Sequence, residues 1–445
     1  MSLFSNLHTA SSGLNVSSTT MSIIGDNIAN VNTVGFKKGR ASFADAFPNA
    51  VGYVHGPLQI GTGAYTNKTT SLFGQGALQS SDNQLDMAIN GNGFFTIRDG
   101  AETFYTRNGE FYLDADGYLV TGAGLRVQGY TANNEGYIQP TLGDLQVAVG
   151  DISNESTTEI ILTANIDAEA DDSTTPVASM SLDGLTETID SVTQAADYST
   201  SISVFDSLGD KHDLTICFEK TGTNSWDYYV LTDAGEIADP SSIGYASEYA
   251  FSIASGSLTF NTDGELTGFT QTNTSLVTSW NFEGASAQDI AFDFGLDTSS
   301  NPTSSGAALT QLASASTVTS IDQDGFSVGH LSSLRVQSDG TIVGLYDNGQ
   351  DQNMGRVTIA IFDTQDGMER VGGTLFRAQR IPGEPSFGVA GEGGRGDVFG
   401  SNLEAANVDI EQEFINMITA QRSYQANSRV LSSTNELLRE LVNLV

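Results

Sequence analysis

The chain has 445 residues and a formal net charge of −36, with 54 Asp and Glu against 18 Lys and Arg. That length admits about two to four domains with sizeable cores. So acidic a balance argues against nucleic acid and against docking to anionic membrane surfaces, both of which rest on basic patches. No apolar run is long enough to span a bilayer as a helix, and the single cysteine, Cys217, rules out an intrachain disulfide framework.

The N-terminus, MSLFSNLHTASSGLNVSS, has neither a basic leader nor a continuous apolar core, so it does not read as a cleaved secretory signal. At three-to-four spacing it presents Leu3, Leu7, Ala10, Leu14, Ser17, Met21, Ile24, Ile28 and Val31, eight of nine apolar, which predicts a helix with a coiled-coil-like stripe. Ser11, Ser12, Gly13, Ser17, Ser18, Thr19, Thr20 and Gly25 make it a poor autonomous helix. One stripe against one partner does not offset the ordering of about thirty residues. The expectation is therefore that the terminal helices order against several copies of the chain. The helix is expected to stop in DNIANVNTVGFKK (26–38), with Gly35 as a left-handed stop and Phe36 as the anchor of the next segment. Asn30, Asn32 and Thr33 are placed to bond the freed carbonyls or neighbouring subunits, while Lys37, Lys38 and Arg40 are expected to face the acids of an adjacent copy.

Residues 34–80, rich in Gly, Ser, Thr and Asn, read as an extended connector with little core of its own. Beyond it the period changes to short aromatic and β-branched runs, and the interior reads as mostly β. Asp99-Gly100, Asn108-Gly109, Asp116-Gly117, Asp263-Gly264, Asp339-Gly340 and Asn348-Gly349 read as hairpin turns, since these dipeptides tolerate positive φ. Residues 81–150 and 324–400 are hairpin-rich and less acidic, and together read as one β domain. Between them, 151–323 reads as an acidic outer β domain inserted into it. Residues 151–322 alone hold 27 acids against two Lys, whereas 1–50 hold two acids and three bases. The middle thus reads as solvent-bathed and the N-terminal region as built for contact.

The C-terminus returns to helical spacing with Ile410, Phe414, Met417, Gln421, Tyr424, Ser428, Leu431, Asn435, Leu438 and Val442, seven of ten apolar. Asn407 or Asp409 is placed to cap this helix, and Glu411 and Glu413 suit its dipole. Leu3, Leu7, Leu14, Met21, Ile24, Ile28 and Val31 are expected to pack against Ile410, Phe414, Met417, Tyr424, Leu431, Leu438 and Val442. Gln421, Ser428 and Asn435 would fix the register. The fold class that follows is α+β, mainly β. Residues 1–33 and 403–445 pair as an inner helical domain, joined by the 34–80 connector to nested middle and outer β domains.

No constellation for catalysis, metal or cofactor stands out. NGNGFF (90–95) precedes a strand rather than opening a helix, so it is no nucleotide loop. LDADG (113–117) and NTDG (261–264) lack the remaining ligands of a calcium loop. His8, His55, His212 and His330 are scattered without metal spacing, there is no G-x-S-x-G elbow, and Cys217 sits in an apolar run as a core residue. The RGD at Arg395–Asp397 is short enough to arise by chance. The chain is expected to be neither an enzyme nor a cofactor binder.

Two long motifs at opposite ends resemble the signatures of the bacterial flagellar rod and hook axial proteins. The first comprises Asn27, Ala29, Asn30, Thr33, Gly35, Phe36 and Lys37. The second comprises Leu403, Glu404, Asn407, Val408, Asp409, Glu413, Phe414, Met417, Ile418, Gln421, Arg422, Tyr424, Gln425, Ala426 and Asn427. Ala406 stands where Ser is more usual in that family. Short rod members carry one β domain between the arms, whereas the length here, SISVFDSLGDKHDLTICFEKTGTNSWDYYV (201–230), IVGLYDNGQ (342–350) and GRVTIAIF (355–362) resemble the hook branch.

The resemblance implies a subunit secreted through the flagellar channel by a type III export apparatus, with no cleaved signal peptide. It would polymerise outside the cell, under a cap scaffold, between the distal rod protein and the hook-filament junction protein. Its partners would be those proteins and other copies of itself, and the resulting tube would serve as a flexible universal joint that transmits torque. A distal-rod or other rod-like axial subunit is the alternative, and a secreted acidic adhesin a more distant one.

Overall fold

The computed structural model describes residues 3–443 apart from 47–48, 54–55, 134, 148, 171–175, 239–248, 274–281, 296–308, 366 and 380–382. The chain divides into two units. The first comprises Met1–Val149, Ser332–Leu345 and Asp351–Val445, and the second Gly150–Leu331 with Tyr346–Gln350. The described residues are mainly strand with three α-helices, α1 (Leu3–Ala29), α2 (Ile189–Ala195) and α3 (Ile410–Asn443), as the α+β reading anticipates.

In the first unit, α1 and α3 pack antiparallel, with Gly13 against the Asn427 side chain and Asn27 against Glu413. The Ser and Thr residues that weaken α1 turn their hydroxyls onto carbonyls one turn back, Ser17 onto Gly13, Thr19 onto Asn15 and Thr20 onto Val16, so no donor is stranded against the partner helix. The helix also has a second partner. The 34–80 segment forms an antiparallel hairpin, Gly39–Asp45 with Ala64–Ser71, continued by Asn49–Tyr53 with Gly56–Ile60. It contacts α1 where the Ala64 N–H donates to Ser12 Oγ (3.2 Å) and His8 Nδ1 lies 3.3 Å from the Thr62 carbonyl. Gly63, at φ +112°, leaves no room for a Cβ beside Ser12.

The body of this unit is a 13-stranded sheet. Its main path runs Leu331–Val336, Thr341–Tyr346, Asp351–Val357, Arg126–Ala132, Phe94–Asp99, Glu102–Thr106, Leu375–Ala378, Met368–Gly372. Strands from both sides of the 150–331 segment therefore interleave in one sheet. Phe73, Phe94, Tyr105, Phe362 and Phe376 fill one core through edge-to-face contacts with ring centroids 4.8–6.1 Å apart. Five of the six expected turns have glycine at positive φ between neighbouring strands: Gly100, Gly117, Gly264, Gly340 and Gly349. Asn108-Gly109 is a correction. The strands on either side of it do not pair, and Gly109 is there because its Cβ position lies 1.7 Å from the Met87 carbonyl oxygen.

The second unit packs a seven-stranded sheet against a four-stranded one around Glu159–Asp167. Ile160, Leu162 and Ile166 of that strand share a core with Leu214, Ile216, Phe218, Trp226, Tyr228 and Val230. Cys217 points to the other face, among Val177, Val192 and Leu231 near α2, and burial pushes its thiol up to about 12. It is an inert core residue.

Two aspartates hold turns of this unit. Asp206, in the D-S-L-G turn, accepts from the Leu208 and Asp210 N–H groups at 2.8 and 2.9 Å. Asp324 accepts from the N–H groups of Thr158 and Glu159 and from the Thr158 hydroxyl. Burial favours the neutral acid at both, but these donors, with His212 at Asp206, outweigh it and hold both carboxyls below the ordinary aspartate value. Their stabilisation is complete above the ordinary aspartate pKa and is lost as pH falls through the depressed one. Thermal unfolding followed from about pH 6 to about pH 2 is expected to show a plateau and then a fall beginning near pH 4. Asp206→Asn, which carries no linked proton, is expected to make that fall shallower.

Candidate functional site

The two terminal motifs meet in one buried junction. Burying a charge without a partner is costly, so ionised side chains with no exposure must converge on each other. Lys37 and Glu404 have no side-chain exposure and pair at 2.6 Å, and Arg107, 2% exposed, reaches the other Glu404 oxygen at 3.3 Å. Glu404 Oε1 also accepts from the Gly76 N–H at 2.8 Å, and its main-chain carbonyl accepts from the Gly35 N–H at 2.7 Å. Lys37 Nζ donates to the Gly74 carbonyl, and Arg107 Nη1 and Nη2 donate to the Ile89 and Gly91 carbonyls. Burial pulls the Lys37 ammonium and the Arg107 guanidinium below their ordinary values, opposed in both by the Glu404 carboxylate. One glutamate thus ties the C-terminal motif to the segment after α1, the connector and the sheet.

Around this centre the amides act as splints. Asn27 Oδ1 accepts from the Gly39 N–H at 2.8 Å, while its Nδ2 donates to the Gly39 carbonyl (3.0 Å) and to Glu413 Oε2 (3.3 Å). Asn407 Oδ1 accepts from the Lys38 N–H at 2.8 Å, and its Nδ2 donates to the Leu72 and Gly74 carbonyls. Asp409, not Asn407, caps α3, accepting from the Glu411 and Gln412 N–H groups at 3.0 and 3.2 Å. Gly35 has φ +68°, and its Cβ position falls 2.4 Å from the Asn108 nitrogen, so only glycine fits there. Asn30 bonds the Asp26 carbonyl and carboxylate, and Thr33 bonds Asn30. Phe36 is buried under Arg370, whose guanidinium lies 4.5 Å from its ring centroid and bonds Asp26 (2.8 Å) and the Lys37 carbonyl (2.6 Å).

Two readings change here. Lys37 does not face another copy, because it is locked inside its own chain. The α3 face that meets α1 carries Glu413, Ala420, Asn427 and Thr434, turned about a quarter of a turn from the apolar series read from the sequence. Ile24 is buried, and Leu7, Leu14, Met21, Ile28, Val31, Met417, Leu431 and Leu438 are half-buried. Ile410, Phe414, Gln421 and Tyr424 are exposed in the single chain, as are Ala29, Arg422 and Ala426. Leu403, Val408, Asn427 and Ser428 are half-buried and Asn435 is exposed, while the side chains of Leu3 and Val442 lie outside the described residues. The physical reason is size. α1 offers Ala10, Gly13 and Ser17 to its partner, which permits close approach but leaves no holes for Ile410 or Phe414. Sequence reasoning missed Arg107, Arg370 and Asp26, which carry no local pattern and are brought in by the sheet.

Four family descriptions match the chain in order. They are a flagella basal body rod protein over 7–37, the flagellar hook protein FlgE/F/G D1 domain over 88–172, the flagellar basal body protein FlaE D2 domain over 162–326, and the flagellar basal body rod FlgEFG protein C-terminal over 400–444. The flagellar hook protein FlgE of Salmonella typhimurium is 33% identical over 98% of this chain and 98% of its own length. The chain belongs to the flagellar hook protein family. The hook proteins of Escherichia coli (33% identity, 98% of both chains) and Borreliella burgdorferi (30%, 99% of both) are similarly related. A crystal structure of the Helicobacter pylori hook protein FlgE2 shares the fold at TM-score 0.52 and 15% identity, over 74% of this chain and all of that one. In this hook-family chain the N-terminal motif and the first part of the C-terminal motif, from Leu403 to Glu413, meet at the buried junction and specify internal architecture, while Phe414, Gln421, Arg422, Tyr424 and Ala426 of the second motif stay exposed on α3. Among the described residues no group of three or more His, Cys, Asp or Glu is placed to hold a metal ion.

Proposed function

We propose that this chain is the structural subunit of the bacterial flagellar hook and polymerises with copies of itself into a flexible tube. The observation that carries the reading is full-length kinship with hook proteins, joined to a helix pair whose outer side leaves Ile410, Phe414, Ile415, Ile418 and Tyr424 at 40–58% exposure. Apolar side chains clustered on one stretch of helix mark an interaction surface. A copy-to-copy contact that does not close generates an open helical polymer. In this reading the terminal helices form the inner tube wall, the sheet of the first unit a middle layer and the acidic second unit an outer layer. The charge of the outer layer keeps tubes hydrated and apart.

The subunit works as a universal joint that transmits torque from the distal rod to the hook-filament junction. It leaves the cell through the flagellar export apparatus and assembles under a cap scaffold, in an extracellular appendage. It has no catalytic role. Kinship favours the hook over a rod subunit, and the two differ in product. Negative-stain microscopy of the purified chain after induced polymerisation is expected to show curved hollow tubes; straight rods would favour the rod reading, and a monomer with no polymer would refute both.

A further inference from the structure

The first unit carries a groove of about 470 Å³ between α1, α3 and the connector hairpin. Val16, Ile23, Ala41 and Ala420 give it an apolar lining, and Lys38 and Arg40 stand on its wall. Among the described residues neither base has an ion pair, although the chain carries three acids for each base. The groove therefore combines an unfilled apolar floor with two bases against one acid, Glu413, whose carboxylate is held by the Asn27 amide and pairs with neither base.

α3 carries the complement. Ile410, Phe414 and Ile418 are 42%, 50% and 51% exposed, and Asp409 and Glu411 lie exposed beside them. At about 100° per residue these three apolar side chains fall within about 80° of helix surface. Glu413, Asn416, Thr419, Ala420 and Ser423, through which α3 lines the groove, centre on a direction about 155° from the middle of that stripe. A chain cannot bring this stripe into its own groove, but it can present the stripe to one neighbour while receiving another.

We propose that the groove of one copy takes the Ile410–Ile418 stripe of a second copy, with Asp409 and Glu411 of the incoming helix set against Lys38 and Arg40. Complementary charge fixes the register, and apolar burial supplies the attraction. The two faces differ, so the contact is heterologous, and a heterologous contact whose rotation does not close builds the open filament that the hook reading requires. This inference rests on the hook reading and adds which surfaces meet.

The test is disulfide trapping in tubes copolymerised from two single variants, Ala41→Cys and Ile418→Cys. Each chain carries one introduced cysteine, so an intrachain bridge cannot form, and Cys217 is buried. Mild oxidation, alkylation and denaturing electrophoresis are expected to show dimers in the mixed tubes and none in tubes of either variant alone. If Ala41→Cys blocks assembly, Ser423→Cys, elsewhere in the groove lining, takes its place. Dimers in tubes of Ile418→Cys alone would show stripe meeting stripe and overturn the proposal. So would mixed tubes that assemble without cross-linking from either groove position. Failure of the unmodified chain to form tubes would instead overturn the hook reading itself.

Discussion

Glu404→Ala is expected to cost the first unit about 3–5 kcal/mol, the range for breaking a buried ion pair and leaving its partners uncompensated. Two cations depend on this carboxylate, Lys37 with no side-chain exposure and Arg107 with 2%. Its removal also strands the Gly76 N–H that it accepts. The loss is expected in one part of the protein only. In a denaturant titration, the transition of the first unit shifts to much lower denaturant, while that of the second, whose core contains none of these residues, holds its midpoint. Glu404→Gln is expected to recover part of the loss, since an amide oxygen can still accept from Gly76. Adding Lys37→Met to Glu404→Gln is expected to recover more, because the stranded ammonium goes with its partner. Equal destabilisation by Glu404→Ala and by the double variant would show that the charge cluster is incidental to the junction.

This cluster also marks what could be read from the chain and what could not. Both terminal helices, a cap at Asn407 or Asp409 and most of the hairpin turns were legible, because each depends on residues within a turn or two of itself; the left-handed Gly35 and the anchor Phe36 were also legible, but not Asn108 and Arg370, which hold them. The partner of Lys37 was not. Glu404 lies 367 residues away, and only the interleaving of strands from both sides of the second unit brings them together. A lysine in an acidic chain reads naturally as a surface contact, and nothing local says that it is buried.

The helix pair shows a different limit. Periodicity found the apolar series on α3 but not its partner, since a heptad pattern says which residues share a face and not what covers it. The small residues Ala10, Gly13 and Ser17 were visible in α1, and close approach at those positions is what turns α3 away from its most apolar side. The connector was underestimated for the same reason. Its Thr-rich strands have little core of their own, and they become ordered by lying along α1.

The second large effect follows from the exposed side of the helix pair. Removing residues 1–30 takes away α1, its contacts with the hairpin and one wall of the groove, but leaves the sheet of the first unit and the whole second unit. The truncated chain is expected to remain β-rich and monomeric, losing by circular dichroism only the strand signal of the connector hairpin. Assembly is expected to fall below detection rather than weaken, because each copy in a helical polymer makes the contact twice, once as donor and once as acceptor.

Electron microscopy of the full chain and the 1–30 deletion, side by side under the same polymerising conditions, decides whether the terminal helix pair builds the tube. Hollow curved tubes are expected from the full chain and dispersed monomers from the deletion. Tubes of normal diameter and curvature from the deleted chain would contradict that role.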